Sequence, residues 1–247
     1  MARAAIPRRL SWQVATVAEG RWETPTARTL VLDIPDWPGH LPGQHLDVRL
    51  TAPDGYQAQR SYSIASAWVA GGRVELTVQR IEDGEVSSYL DDILQSGQQI
   101  EVRGPIGGWF VWRNTPEPVL LVAGGSGVVP LMAMIRARAD VRGRQPFRLI
   151  YSVRTPGDVL FADELKRQVR DDPGLDVHFV YTRAAPDGWP VPPGRIGVAT
   201  LNTYGWPPDF APDVFVCGPT PFVEAAANIL VALGHDPKTI RTERFGG

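Results

Sequence analysis

The hydrophobic pattern of this 247-residue chain changes half-way along, and this change limits the possible folds more than any other feature. In the first half, short runs rich in Val, Ile, Thr and aromatic residues alternate with Pro, Gly and Asp turns. Strands at such short spacing are typical of an antiparallel barrel or sandwich. The predicted strands are Trp12–Glu19, Thr29–Ile34, His45–Leu50, Arg60–Ser66, Arg73–Gln79 and Gln99–Arg103, and one helix is predicted at Ser87–Leu94.

The second half alternates between apolar and helix-favouring segments. Its first segment, Val119–Ala123, is continuously apolar, as expected of a strand buried on both faces of a parallel sheet. Such alternation indicates βαβ units. Strands are predicted at Val119–Ala123, Arg148–Ser152, Val177–Tyr181 and Val214–Cys217, and helices at Pro130–Ala139, Ala162–Arg170 and Pro221–Leu233.

The stiff polar segment Asn114–Pro118 separates the two patterns and predicts a domain boundary. We therefore expect two domains, an N-terminal antiparallel β-barrel over residues 1–115 and a C-terminal α/β domain with a parallel sheet over residues 116–247. The Pro- and Gly-rich stretch 184–194 predicts an exposed loop.

The composition excludes several kinds of redox centre. The one cysteine, Cys217, can form neither an intrachain disulfide nor an iron–sulfur cluster, and the four histidines show no close metal spacing, so no metal site is predicted. Redox chemistry here would need an organic cofactor or a partner. A formal net charge of −2 gives no basic field for nucleic acid or membrane. No membrane span or secretory signal is predicted, so we expect a cytoplasmic protein.

Three glycine-containing segments are candidates for phosphate binding. Gly124–Pro130 follows the apolar strand, where glycines allow close approach of a phosphate and a helix amino end offers free N–H groups. Gly84–Leu90 begins the predicted helix with two serines, which an ordinary capped helix also explains. Gly104–Phe110 connects barrel strands, and a structural turn explains it as well as a ligand contact does.

Three further segments carry reactive or aromatic side chains. Arg60–Ser63 follows a turn and is predicted to begin a strand, with Arg60 able to clamp a diphosphate and Tyr62 to stack on a flat ring. Val216–Pro221 ends a strand of the parallel sheet, where ligands of such sheets bind, although a free Cys is also common in a core. The terminal segment Arg241–Gly247 is typical of a frayed tail or of a cover over a cofactor.

Taken in order, these segments resemble the ferredoxin–NADP reductase family over nearly the whole chain, from about Trp12 to the C-terminus. The resemblance implies a flavin-binding antiparallel barrel followed by a Rossmann-like nicotinamide domain. It implies that FAD is bound by Arg60, Ser61, Tyr62, Ser63, Gly84, Val86, Ser87, Ser88 and Phe245.

The resemblance also implies a nicotinamide site and a site of hydride transfer. NAD(P) would be bound by Gly125, Ser126, Gly127, Ser152, Arg154, Thr182, Arg183, Cys217, Gly218 and Pro219. Ser63, Cys217 and Glu243 would form the catalytic polar edge where the two rings meet. The arginines favour NADPH over NADH, because the segment Tyr181–Arg183 resembles the family's site for the 2′-phosphate. Two solvated strand-end arginines would have the same pattern.

The implied function is an FAD-dependent oxidoreductase that passes electrons from NADPH (or NADH) to a separate acceptor such as a ferredoxin. FMN in place of FAD, a slow-turnover regulatory flavin module and a nucleotide-binding enzyme without flavin remain alternatives. The cationic stretch of Arg136, Arg138, Arg142 and Arg144 is consistent with docking of an acidic ferredoxin. Cations are also common at an exposed helix C-terminus, and we prefer that interpretation.

Overall fold

The computed structural model describes residues 10–52, 54–67, 71–80, 84–90, 94–141 and 145–245, with the backbone alone at residues 85 and 88. The first unit contains strands Gln13–Thr24 (β1), Ala27–Asp33 (β2), His45–Thr51 (β3), Gln57–Ser63 (β4), Arg73–Gln79 (β5) and Gln99–Ile106 (β6), and the short helix Glu85–Ser88 (α1). Within the described residues, these six strands form one antiparallel sheet in the order β4-β3-β6-β1-β2-β5.

A bridge between the two edge strands closes this sheet into a barrel. Ile64, directly after β4, pairs with Leu76 of β5, and the Ala65 N–H donates to the Glu75 carbonyl at 2.8 Å. Because side chains alternate across a strand, each strand contributes every second residue to the interior. On β5, for example, Val74, Leu76 and Val78 are fully buried. The predicted antiparallel barrel is therefore confirmed.

The second unit contains strands and helices in alternation. They are Val119–Gly124 (β7), Val128–Ala139 (α2), Phe147–Val153 (β8), Ala162–Asp171 (α3), Leu175–Tyr181 (β9), Val198–Tyr204 (α4), Asp213–Pro219 (β10), Thr220–Ala232 (α5) and Ile240–Phe245 (β11). Five strands of the described chain form a parallel sheet in the order β11-β10-β7-β8-β9.

The continuously apolar strand β7 lies in the middle of this sheet, and all its residues are buried. Val119 and Leu121 face one core cluster, and Leu120 and Val122 face another on the opposite side of the sheet. This confirms the prediction of a strand covered on both faces. The first cluster also contains Phe110 and other barrel residues, so apolar packing joins the two units.

Two elements of the second unit were not predicted. Helix α4 lies in a region with no predicted element, and β11 falls in the segment that resembled a frayed tail. β11 pairs in parallel with β10 from Ile240 to Phe245. The predicted helix at Ser87–Leu94 lies partly outside the described residues. Within the described residues, the helix α1 covers Glu85–Ser88. Among the described helices, none has the length and apolar character needed to cross a membrane.

Candidate functional site

The strand order creates a switch point at the carboxyl ends of β7 and β10. From β7 the chain continues to β8 and β9 on one side, whereas β10 and β11 lie on the other side. Ligands of open α/β sheets bind at such a point, outside the carboxyl ends of the strands. Cys217 of β10 pairs with Ala123 of β7, so the segments that follow these two residues are direct neighbours.

The glycines after β7 are required by this close approach. Residues Gly125–Gly127 form a 3₁₀ turn that leads into α2. A Cβ at Gly127 would lie 2.2 Å from the Cys217 carbonyl oxygen, whereas Gly125 has a φ of 55° and open space around it. The turn therefore exposes backbone beside the amino end of a twelve-residue helix, a geometry suited to phosphate.

The segment Arg60–Ser63 ends strand β4, which corrects the expectation that it begins a strand. The ladder between β3 and β4 runs from the Thr51–Gln57 pair to the His45–Ser63 pair, so the strand starts earlier than its apolar residues indicated. Arg60 is exposed and Tyr62 packs partly against the barrel core. Burial raises the pKa of Tyr62 to about 12, although the charge of Arg60 opposes this.

A cleft of about 480 Å³ lies where the two units meet. Its lining includes the predicted residues Ser61, Ser63, Glu243 and Phe245. It also includes Gly43 and His45, which had no predicted role, and further residues of the two candidate segments Gly104–Phe110 and Arg241–Gly247, namely Gly107, Gly108, Trp109, Phe110, Thr242 and Arg244. Within Gly104–Phe110, residues 107–110 thus belong to the cleft wall.

Ser63 and Glu243 connect the barrel to the second sheet across this cleft. The Ser63 hydroxyl donates to Glu243 Oε1 at 3.4 Å, although the residues are far apart in sequence. Glu243 of β11 is in turn the strand partner of Cys217 on β10. The structure therefore brings together the three predicted catalytic residues.

Burial controls the charge of this group. It raises the pKa of Glu243 from 4.5 to about 7, although the Ser63 hydrogen bond opposes the shift. Burial and the charge of Glu243 raise the pKa of the Cys217 thiol well above its ordinary value. Cys217 is 1% exposed, and this burial disfavours the thiolate form of its side chain.

Other predicted FAD residues are partly engaged within the protein. Ser61 Oγ donates to Asp47 Oδ1 at 2.7 Å, and Ser87 Oγ donates to the Gly84 carbonyl at 3.2 Å. The Val86 side chain is buried in the barrel core, so only its backbone is free to contact a ligand. The Ser88 side chain lies outside the described residues.

The predicted residues of the 2′-phosphate site gather at the carboxyl ends of β8 and β9. Their backbones are bonded there, with the Arg183 N–H donating to the Arg154 carbonyl at 2.9 Å and Thr182 N–H to Val153 at 2.8 Å. Ser152 is buried. Arg154 and Arg183 are exposed, and no carboxylate of the described residues pairs with either.

Of the four arginines considered for docking of a ferredoxin or for an exposed helix end, Arg136 and Arg138 belong to no exposed cationic surface. Arg138 is 1% exposed and forms a buried ion pair with Asp172. The Arg136 side chain is mostly buried between two glutamates. Both guanidinium groups pair with carboxylates that are distant in sequence. The local sequence pattern therefore could not predict these ion pairs. Arg142 and Arg144 lie outside the described residues.

The described residues contain no cluster of His, Cys, Asp or Glu that could hold a metal ion.

Comparison with known proteins identifies both units. Residues 23–111 match an oxidoreductase FAD-binding domain, and residues 121–228 match an oxidoreductase NAD-binding domain. The chain belongs to the ferredoxin–NADP reductase family. As a family member it has an FAD-binding unit and an NAD-binding unit, and the exact boundary at residues 115 and 116 stays a prediction.

Two relatives illustrate this similarity. The chain is 34% identical to the glycine betaine monooxygenase reductase subunit of Chromohalobacter salexigens, over 83% of this chain and 56% of the relative. It is 33% identical to the ferredoxin reductase component of the Mycolicibacterium smegmatis 3-ketosteroid-9-alpha-monooxygenase, over 96% and 65% respectively. The chain thus spans little more than half to about two thirds of these relatives.

A solved structure supports the fold. The FAD/NAD-binding domain of the Vibrio cholerae nitric oxide dioxygenase superimposes with a TM-score of 0.83 at 24% identity. The alignment covers 95% of this chain and 99% of that domain. This similarity extends over both units, and it supports the two-domain architecture.

Proposed function

We propose that this protein transfers a hydride from NADPH, or NADH, to FAD and passes the electrons to a separate one-electron acceptor such as a ferredoxin. The Ser63–Glu243 contact carries this proposal, because it joins the barrel cleft to the switch point of the parallel sheet. The names of the two sequence relatives, both reductase components of monooxygenases, support a separate acceptor. A cytoplasmic location stays a prediction.

The cleft and the glycine turn fit the two cofactors. Arg60 is exposed at the end of β4 for a diphosphate, Tyr62 offers its ring, and Gly84–Ser88 offers backbone N–H groups. The nicotinamide would lie along Gly125–Gly127 and Cys217–Pro219. These two segments approach so closely that an added Cβ at Gly127 or Gly218 would meet neighbouring atoms. When bound, FAD accepts two electrons as a hydride and releases them singly.

The residues of the chain orient the rings and control protonation. Rapid transfer requires reacting atoms about 3–3.5 Å apart, so the cleft must fix two rings face to face. Ser63 and Glu243 line this cleft, and the buried Cys217 is the strand partner of Glu243. Because the pKa of Glu243 is about 7, this carboxyl holds a proton in part of the molecules at neutral pH.

The preference for NADPH is supported by Arg154 and Arg183, two exposed cations without a carboxylate partner in the described chain. Comparison of kcat/KM for NADPH and NADH tests it. A preference below about fivefold, or ~1 kcal/mol, would contradict a dedicated phosphate site. Chromatography of acid-released flavin tests FAD, and recovery of FMN would contradict it.

The catalytic proposal is tested by stopped-flow reduction of the flavin with excess NADPH. Ser63→Ala is expected to slow this step, because the hydroxyl that contacts Glu243 is lost. Ser96→Ala is the matched control, since Ser96 bonds to the Ala18 carbonyl on the barrel surface. Equal rates for both variants would refute the role of Ser63. Absence of NADPH–ferricyanide turnover in the native protein would favour the slow-turnover module.

A further inference from the structure

Arg136 is the most extensively bonded side chain at the contact between the two units that the proposed function does not use. It lies in α2, nine residues after Gly127 of the phosphate-binding turn. At about 1.5 Å rise per residue, roughly 13 Å of continuous helix separate them. The helix therefore connects Arg136 to the turn without a break.

The Arg136 guanidinium contacts both units at once. Its Nε and Nη2 donate to the two carboxylate oxygens of Glu164 on α3, at 2.7 and 2.6 Å. Its Nη1 donates to the barrel, to the Ala65 carbonyl and to Glu75 Oε2, both at 2.9 Å. The bidentate pair fixes the plane of the guanidinium against the second unit, so its remaining N–H groups point at the barrel in one direction.

The barrel side of this contact is held by further hydrogen bonds. Ala65 and Glu75 pair through their backbones where β5 closes the barrel. Glu75 also accepts from Arg21 on β1 at 2.7 Å. Burial would raise the pKa of Glu75, but the hydrogen bond from Arg21 and the charge of Arg136 outweigh it and leave the pKa below its ordinary value. Glu75 therefore remains charged near neutral pH.

The contact contributes more to orientation than to affinity between the units. The apolar interface, including the Phe110–Phe215 and Trp112–Phe147 ring pairs, already provides non-directional attraction. The Arg136 and Glu75 side chains are only 14% and 25% exposed, so desolvation offsets much of their mutual attraction. Apolar packing alone permits several relative orientations of the two units. A directional hydrogen bond selects one of them.

We propose that Arg136 is a positioning residue that locks α2, and with it the Gly125–Gly127 turn, against the barrel at the separation that hydride transfer requires. The kinetic consequence rests on the proposed function, whereas the lock itself rests on the contacts of Arg136 with Glu75 and Ala65. Arg136 acts through the backbone that it holds and touches no cofactor.

The test compares Arg136→Gln and Glu75→Gln with two controls in the flavin-loaded protein. Arg21→Gln removes the other partner of Glu75 within the barrel, and Arg170→Gln removes an exposed ion pair with Asp171. Stopped-flow absorbance gives the limiting rate of flavin reduction and the NADPH concentration at half-maximal rate. The rate of reduction by dithionite measures the reactivity of the flavin without the nicotinamide. Proteolysis within residues 114–118, the connector between the two units, measures how often the units separate.

Arg136→Gln and Glu75→Gln are expected to lower the limiting rate about 10- to 100-fold, since a misplacement of about 1 Å has that effect. The half-saturating NADPH concentration and the dithionite rate should change less than about twofold, and connector cleavage should accelerate. Arg136→Lys should recover part of the rate, because it keeps the charge but not the bidentate geometry.

The proposal is overturned if both variants match Arg170→Gln in limiting rate and in connector cleavage. If Arg136→Gln does not fold, Glu75→Gln alone decides. If NADPH does not reduce even the native flavin, the proposed function fails, and connector cleavage still decides whether Arg136 locks the units.

Discussion

Replacing Glu243 with glutamine should change how the stability of the protein depends on pH. The carboxyl lies between Ser63 and Cys217, and burial raises its pKa from 4.5 to about 7. Glutamine has nearly the same shape, accepts the Ser63 hydrogen bond and carries no charge at any pH. The variant therefore isolates the cost of ionising this one buried group.

The magnitude follows from proton linkage. Below 4.5 both the folded and the unfolded chain hold the proton, so the free energy of unfolding carries no penalty from this group. Between 4.5 and about 7 only the unfolded chain releases the proton, and the free energy of unfolding falls by about 1.4 kcal/mol per pH unit. Residual solvent contact of Glu243 makes the total loss at most about 3 kcal/mol.

Urea unfolding followed by tryptophan fluorescence at several pH values measures this difference. At about pH 4 the native protein and Glu243→Gln should be equally stable, and at about pH 8 the variant should be more stable by up to ~3 kcal/mol. Glu224→Gln is the control. Glu224 lies on the neighbouring helix α5, where it is exposed and pairs with Arg244 of β11. Parallel curves for native protein and Glu243→Gln between about pH 5 and 8 would refute the argument.

Three further variants test separate parts of the structure. Replacing Arg154 and Arg183 together by alanine should lower kcat/KM for NADPH about tenfold and leave NADH within about twofold; equal losses would contradict a phosphate site. Gly127→Ala places a Cβ 2.2 Å from the carbonyl at the end of β10, so urea unfolding should show a loss of about 1–3 kcal/mol. Asp172→Asn leaves the buried Arg138 guanidinium without its counter-charge and should cost about 3–5 kcal/mol in the same assay, whereas an unchanged midpoint would refute this.

The sequence predicted those elements whose signal is local. β7 was recognised because its continuous apolar run requires cover on both faces, and α2 because helix-favouring residues follow a glycine turn. β11 gave no such signal, since its polar residues become a strand only by pairing with β10. The burial of Arg136 and Arg138 was not predicted for the same reason, because Glu75 and Asp172 become their neighbours only after folding.

The sequence by itself determined the two-unit architecture, because periodicity is a property of short segments. The family and the candidate site residues followed from the resemblance that the order of those segments carries. Tertiary structure decided which of these residues meet. Ser63 approaches Glu243 only when the barrel packs on the parallel sheet, and the raised pKa of Glu243 exists only because that packing removes water. The orientation of the two units likewise depends on Arg136, whose bonds join strands and helices that are distant in the chain.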